Sequence, residues 1–359
     1  MNTQSGARLD RPLPSQVAGL SLVEMMIGMT LGLMVIATVT VLFVNNNRVR
    51  RETEKTSEQI ENGRYATQLL LEDLRLAGYY GEFNPSSLPT PAAVPDPSAT
   101  DAVSLAAAIP LPIQGYDGGT GLPAGVSTLL TDRRTGSDVL VVRRASTCVA
   151  GGAGCDAFDT SANTYFQTTL CQTQLSSLTA ATRFLIGTDS NQFISSNPAV
   201  TGSAAPPTFL AKKDCVTPAV QRTFIARIYF VANNNQSGDG IPTLKVAELR
   251  SGQFTIAPLV AGIDQLQIEY GLDTNGDGKP DSYATSPATA AAWRQVTAVK
   301  VHSLARNSAT SGGFTDTRTY VLGLKADGTD NSFGPYADAY KRHVYTTVTR
   351  LNNVAGRLE

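Results

Sequence analysis

An α+β fold is what this sequence predicts: a long amino-terminal helix packed on a largely antiparallel β-sheet domain. Residues 25–44, MMIGMTLGLMVIATVTVLFV, carry no charged side chain. Residues 45–77 carry no proline and place Ala66, Leu69, Leu70, Leu74 and Ala77 at helical spacing. The second half of the chain then alternates short runs of Val, Ile, Tyr, Phe and Thr with Gly, Asn, Asp and Pro turns.

The uncharged run meets the roughly 20 residues that a membrane-spanning helix needs at about 1.5 Å of rise each. A secretory signal puts its apolar stretch before a small-residue cleavage site. Here residues 1–19 are polar, carry Arg8, Asp10 and Arg11, and end in Gly19 ahead of the apolar stretch. Cleavage after Gly19 leaves the helix on the mature protein, with a spanning part at 20–44 and an amphipathic part at 45–78 that stops at Gly78. Gly28 and Gly32 soften the first part, through close helix packing or local unwinding.

Gly19, then Leu20-Ser21-Leu22-Val23-Glu24 and the apolar run, resembles the class III leader of type IV pilins and pseudopilins. The resemblance implies a pilin-like fold and a leader, 1–19, removed on the cytoplasmic side by a prepilin peptidase that then methylates the new amino terminus. That family usually begins its mature chain with phenylalanine, so Leu20 is a departure. A carboxylate at the edge of a hydrocarbon segment is costly and usually has a partner. Cleavage creates one in the Leu20 amine, cationic at neutral pH with an ordinary pKa near about 8. Pairing of Glu24 with that amine across subunits is the assembly role the resemblance implies; the plain alternative is a glutamate at headgroup level.

Arg48, Arg50 and Arg51 follow the apolar run while Arg8 and Arg11 precede it, a count that would leave the large domain in the cytoplasm. Cysteine usage points the other way. Cys148, Cys155, Cys171 and Cys215 are even in number, lie beyond the helix and form no CxxC pair, which suits disulfides in an oxidising periplasm better than zinc. Three pairings are open; Cys148 with Cys155 and Cys171 with Cys215 are favoured, a short local loop and a tie between two strands.

The 42% hydrophobic content supplies material for a sizeable core, and a net charge of -1 gives no sign of a nucleic-acid partner. The pairs Arg133-Arg134 and Arg143-Arg144 read as solvated strand ends. Residues 79–359 form the β-rich domain. Within it, 84–127 reads as a connection rich in Pro, Ala, Ser and Gly with little regular structure. Gly119-Thr120-Gly121 follows no clear strand and closely precedes Pro123, so it is no phosphate loop. Strands are expected at 138–143, 222–232, 243–249, 264–270, 293–304, 317–324 and 343–351.

The order of Tyr229-Phe230-Val231, the turn Gly238-Asp239-Gly240-Ile241-Pro242, Ile268-Glu269-Tyr270-Gly271, Trp293-Arg294-Gln295-Val296 and Arg342-His343-Val344-Tyr345 to Arg350-Leu351-Asn352 is similar to that in PilW-type minor pilins. Between them lies Asp273-Thr274-Asn275-Gly276-Asp277-Gly278-Lys279-Pro280-Asp281. Asp273, Asn275, Asp277 and Asp281 take positions 1, 3, 5 and 9 of a calcium-type loop, with glycine at 6 and the Lys279 carbonyl at 7. Position 12 is Ala284, not glutamate, so the expectation is one Ca²⁺ in a β context rather than an EF-hand. The alternative is a hairpin turn, since Asn275-Gly276 and Asp277-Gly278 are strong turn dipeptides. Repulsion among three bare carboxylates favours calcium. Asp239 lacks such companions and reads as a turn.

No catalytic constellation is visible. His302 and His343 lie far apart on predicted strands, and neither a Gly-x-Ser-x-Gly elbow nor a His-Glu-x-x-His helix occurs. Trp293 reads as core. The resemblance implies a non-enzymatic minor pilin of the bacterial inner membrane with a periplasmic domain. Its partners would be the prepilin peptidase, other minor pilins and the major pilin, in the complex that primes and tips a type IV pilus. A type II secretion minor pseudopilin and a fibre-tip receptor for DNA or surfaces are the alternatives.

Overall fold

The computed structural model describes Gly19, residues 21–188, Phe193 and residues 209–358. The leader residues 1–18 and Leu20 lie outside the described residues. By contacts the chain divides at Glu54 and Lys55. One helix, α1 (Leu22–Leu76), supplies most of the first unit and enters the second.

In the first unit the apolar side chains from Met25 to Val44 all stand exposed, Met34 at 68%. The helix is long and apolar enough to cross a membrane. Its polar side chains are satisfied locally: the Thr30, Thr38 and Thr40 hydroxyls donate to the carbonyls of Ile27, Met34 and Ile36. Such back-bonding hides a hydroxyl inside an apolar segment. The exposed Arg50–Glu54 pair, at 3.0 Å, adds little stability.

The second unit holds thirteen strands among the described residues: β1 (Ile113–Tyr116), β2 (Val139–Ala145), β3 (Tyr165–Thr168), β4 (Phe184–Gly187), β5 (Gln221–Ala232), β6 (Thr243–Arg250), β7 (Gln253–Ala261), β8 (Ile263–Leu272), β9 (Ser282–Ala284), β10 (Val296–Arg306), β11 (Tyr320–Leu324), β12 (Asp330–Phe333) and β13 (Arg342–Arg350). One sheet runs β1-β2-β5-β3-β4, with β6 added to β5 and β7 to β6. The second runs β13-β10-β8-β9, and β11-β12 is a separate hairpin. Pairings between these strands are antiparallel. The fold is therefore α+β, a long helix with antiparallel sheets.

The stripe expected on α1 lies in the main core. Ala66, Leu70, Leu74 and Ala77 are buried with Leu140, Val142 and Tyr229 of the first sheet and Ile268, Val299 and Val301 of the second. Full burial of a leucine contributes about 1.5–3 kcal/mol, so Leu70 and Leu74 anchor this end of the helix. Gly63 lets α1 approach β13: a Cβ there would lie 2.1 Å from the Tyr345 ring. The Gln59 amide donates to the carbonyls of Ala305 and Lys341 at 2.8 and 2.9 Å. α1 ends at Leu76, and Gly78 takes φ +74° as its N–H turns to the Arg143 carbonyl.

The structure corrects three expectations. The 84–127 connection holds a helix at Ala102–Ala108, strand β1 and a helix at Ala124–Leu129. The strand expected at 293–304 starts later, at Val296 of β10, because a short helix, Ala290–Arg294, precedes it, with Trp293 buried and edge-on to Tyr270. Arg143 and Arg144 are not solvated. Arg143 donates to the Leu111 carbonyl and Gln114 Oε1, each at 3.0 Å, and its burial pushes the guanidinium pKa down. Arg144 Nε meets Asp73 Oδ1 at 2.7 Å; Arg227 Nη1 reaches the same oxygen at 3.2 Å, and the Tyr229 hydroxyl donates to Oδ2.

On the other face of the second sheet, His302 Nδ1 lies 3.0 Å from the Thr346 hydroxyl and Nε2 lies 3.7 Å from Glu269 Oε1. Glu269 also pairs with Lys300 and accepts the Leu324 N–H from the β11-β12 hairpin. Gly323 is required beneath that hairpin, since a Cβ would sit 2.5 Å from Glu269 Oε1.

Two outcomes follow. Asp73→Ala leaves the buried Arg144 without its carboxylate, while Arg227 keeps Glu248 at 2.8 Å, and is expected to cost about 3–5 kcal/mol in denaturant unfolding; a loss below about 1 kcal/mol would mean water replaces it. Burial holds the His302 pKa below its ordinary 6.5. The unfolded chain therefore takes up the proton first. This contribution to stability is present above pH 6.5 and lost as pH falls from there through the depressed folded value. The unfolding midpoint of His302→Gln should fall less than wild type between about pH 7.5 and about pH 5.5; parallel curves would contradict it.

Candidate functional site

The processing and assembly residues sit at the start of α1. Gly19 is exposed, and a Cβ there would meet nothing within 4 Å. Glu24 turns back to its own helix end: its Oε2 accepts the Ser21 N–H at 2.9 Å while the Ser21 hydroxyl accepts the Val23 N–H at 3.3 Å. This is a capping box, with Ser21 before the first turn and Glu24 three residues on. The Ser-x-x-Glu spacing was legible in the sequence, and Ser21 was overlooked there.

The aspartate-rich loop joins β8 to β9. Asp273, buried at 3% exposure, accepts the Gly276 N–H on Oδ1 at 2.6 Å and the Gly278 N–H on Oδ2 at 2.7 Å. Asn275 Oδ1 accepts the Asp277 N–H, and Asp277 Oδ1 accepts the Lys279 N–H. Asp281 Oδ2 takes both the N–H and the hydroxyl of Thr274 at 2.7 Å, and Oδ1 takes the Asn275 amide. The Thr274 hydroxyl, then its N–H, holds the Asp281 carboxyl below its ordinary pKa.

The repulsion expected of three carboxylates is thus met by N–H and O–H donors. Among the described residues no group of three or more His, Cys, Asp or Glu is placed to hold a metal ion. A cation could use the remaining lone pair on each Asp273 oxygen and the Oδ2 of Asp277, which accepts no bond among the described residues. Asp277 and Asp281 would have to turn toward it. Asp239 accepts the Asn235, Gln236 and Ile241 N–H groups and serves its own turn.

The four cysteines form Cys148–Cys155 and Cys171–Cys215, closing sequence separations of 7 and 44. The residues that carried the resemblance prove to be structural. Tyr229 binds Asp73, Trp293 packs on Tyr270, and Leu351 is buried and donates its N–H to the Thr297 carbonyl. Arg342, at 1% side-chain exposure, pairs with Asp264 at 2.7 Å, Asp316 at 3.1 Å and Asp338 at 2.6 Å. The Tyr336 ring lies 3.7 Å from that guanidinium.

Residues 228–353 match the family described as Type IV Pilus-assembly protein W. No curated protein matches the chain. Among solved structures, the type IV-like pilin TTHA1219 from Thermus thermophilus is similar, with 15% identity over 36% of this chain and 68% of that one and a TM-score of 0.23.

Proposed function

We propose that this chain is a PilW-like type IV pilin that works as a minor pilin, a non-catalytic subunit of the complex that primes and tips the fibre. Its pilus-associated structural role rests on the family match. The observation that carries the finer reading is the placing of Gly19 just before, and Glu24 in the first turn of, a helix apolar enough to span a membrane, in the same chain as that match. In this reading the chain enters the inner membrane with its large domain in the periplasm. A prepilin peptidase then cuts after Gly19 and methylates the Leu20 amine, and Glu24 meets the amine of a neighbouring pilin. The match to a pilus-assembly family favours a pilus over a secretion pseudopilin. Cells lacking this chain should lose surface fibres and regain them with wild type; undiminished fibres in its absence would refute the role.

Processing and assembly should separate in paired variants. Gly19→Leu should remain longer and unprocessed, because the peptidase must pass a narrow backbone there. Glu24→Ala should be cleaved yet assemble poorly. Glu24→Gln keeps the capping box but not the charge, so it should also assemble poorly if ion pairing matters. Intact-mass measurement and co-purification of other minor pilins read both steps; wild-type assembly by Glu24→Gln would reduce the carboxylate to a cap.

A second proposal is that Asp273, Asn275, Asp277 and Asp281, with the Lys279 carbonyl, take one Ca²⁺ once the outer carboxylates turn inward. Lacking a glutamate at position 12, the loop should bind weakly, at about 10⁻⁴–10⁻³ M, as extracellular modules do. At a hundredfold excess over Kd the folded state would gain about 2.7 kcal/mol. Thermal unfolding of the detergent-solubilised chain should therefore shift upward with calcium against chelator, and not in Asp277→Ala. Identical wild-type midpoints would leave the loop as a turn.

A further inference from the structure

A cavity of about 420 Å³ opens where four distant segments meet: the turn after α1, the end of β3, the start of β5 and the turn at residues 212–217. Its volume lies within the roughly 300–1,000 Å³ of small-molecule sites. Three cations border it. Lys212 and Lys213 are exposed, and neither ammonium has a hydrogen bond or ion pair among the described residues. Arg222 is fixed in place: its Nη1 donates to the Ser146 and Thr147 carbonyls at 3.2 and 2.6 Å, which leaves its remaining donors for another group.

The wall is held rigidly. The Cys171–Cys215 disulfide pins the lysine-bearing turn to the segment after β3, and the Leu170 N–H donates to the Ala211 carbonyl. Asp214 borders the cavity with its carboxylate held inside the turn by the Val216 and Thr217 N–H groups and the Thr217 hydroxyl, and its charge offsets one of the three cations. Glu82 is the other carboxylate on the rim, exposed and able to accept hydroxyl donors; Thr168 also lines the cavity, and its hydroxyl, which donates to the Arg183 carbonyl at 3.2 Å, keeps its acceptor side. Leu170, Val220 and the buried ring of Phe166 supply the apolar lining.

We infer that this cavity binds an acidic sugar. The acid group meets Lys212, Lys213 and Arg222, ring hydroxyls donate to Glu82 and Thr168, and the C–H face of the ring covers the apolar lining. A bare inorganic anion would leave that lining and the Glu82 acceptor unused. Three cations against the two rim carboxylates leave one positive charge in excess, which a neutral sugar would not answer, and a purely apolar ligand would leave the polar groups that it covers without partners. This inference is independent of the pilus role, since binding would be a property of the domain in any assembly.

Calorimetry of the detergent-solubilised full chain tests it with D-glucuronate, using D-glucose and acetate as neutral-sugar and bare-anion probes. Glucuronate should bind saturably, and both controls at least about tenfold more weakly. Lys212→Glu combined with Lys213→Glu should weaken glucuronate by at least about tenfold without moving the unfolding midpoint, because both side chains are exposed. Lys325→Glu, an exposed lysine that does not line the cavity, should bind as wild type. The inference is overturned if glucuronate gives no saturable binding, if acetate or glucose binds as tightly, if the double variant binds normally, or if Lys325→Glu weakens binding as much.

Discussion

Burial of one face of α1 between two sheets is the constraint from which most of the second unit follows. Once Leu70 and Leu74 lie in the core, helical geometry carries Asp73 down with them, because it stands three residues from one and beside the other. A lone buried carboxylate would be costly. Arg144 from β2, Arg227 and Tyr229 from β5 supply its partners, so the helix is held in register by charge as well as by packing. Each partner comes from a strand that also contributes apolar residues to the same core, through Val142 and Val231. Hydrophobic contact sets the distance between helix and sheet, and the shared carboxylate selects one rotation of the helix.

The matched C-terminal segment solves a different problem by similar means. Around residues 307–319 and 334–341 the backbone has no regular structure, and the nearby hydrophobic cluster is small, built on Leu304, Tyr320 and Leu322. Arg342 there holds Asp264, Asp316 and Asp338 at once, and Arg134 reaches Asp264 from the loop before β2 at 2.6 Å. A fork of donors locking several carboxylates suits loops that ladder hydrogen bonds cannot hold. Such a cluster need not add net stability over apolar packing, but it rejects alternative loop arrangements that would leave a buried charge unpaired. The motif residues Tyr229, Trp293 and Arg342 are therefore engaged in holding this domain together.

Much of this was legible because it rests on periodicity. The apolar run, the stripe on α1 and the strands that became β5, β6, β8, β10 and β13 all follow from spacing alone. The 84–127 segment was misread because its helices and strand are too short for a period to show: the longest is the 7-residue helix Ala102–Ala108. β7 was missed because it lies at a sheet edge with most of its residues exposed, so burial leaves no alternation in it. Arg143 and Arg144 looked solvated because the acceptors that justify their burial lie 29 to 71 residues away. The Asp273–Asp281 spacing was plain, but which oxygen faces which N–H depends on side-chain torsions that spacing does not encode.

Glu24 joins the sequence reading to the structural one. A carboxylate at the front of an apolar segment is costly in hydrocarbon, yet this one lies in the first turn of α1, where unpaired N–H groups give the helix end partial positive charge. Its Oε2 takes the Ser21 N–H, so part of the desolvation cost is offset within the chain before any partner arrives. A carboxylate offers about four acceptor sites, and one N–H leaves the others open. The cap thus fixes the rotamer and keeps a charged acceptor facing outward at a set height on the helix. A pairing role for Glu24 would exploit that arrangement, since an acceptor already ordered by its own helix loses less entropy when a second donor reaches it.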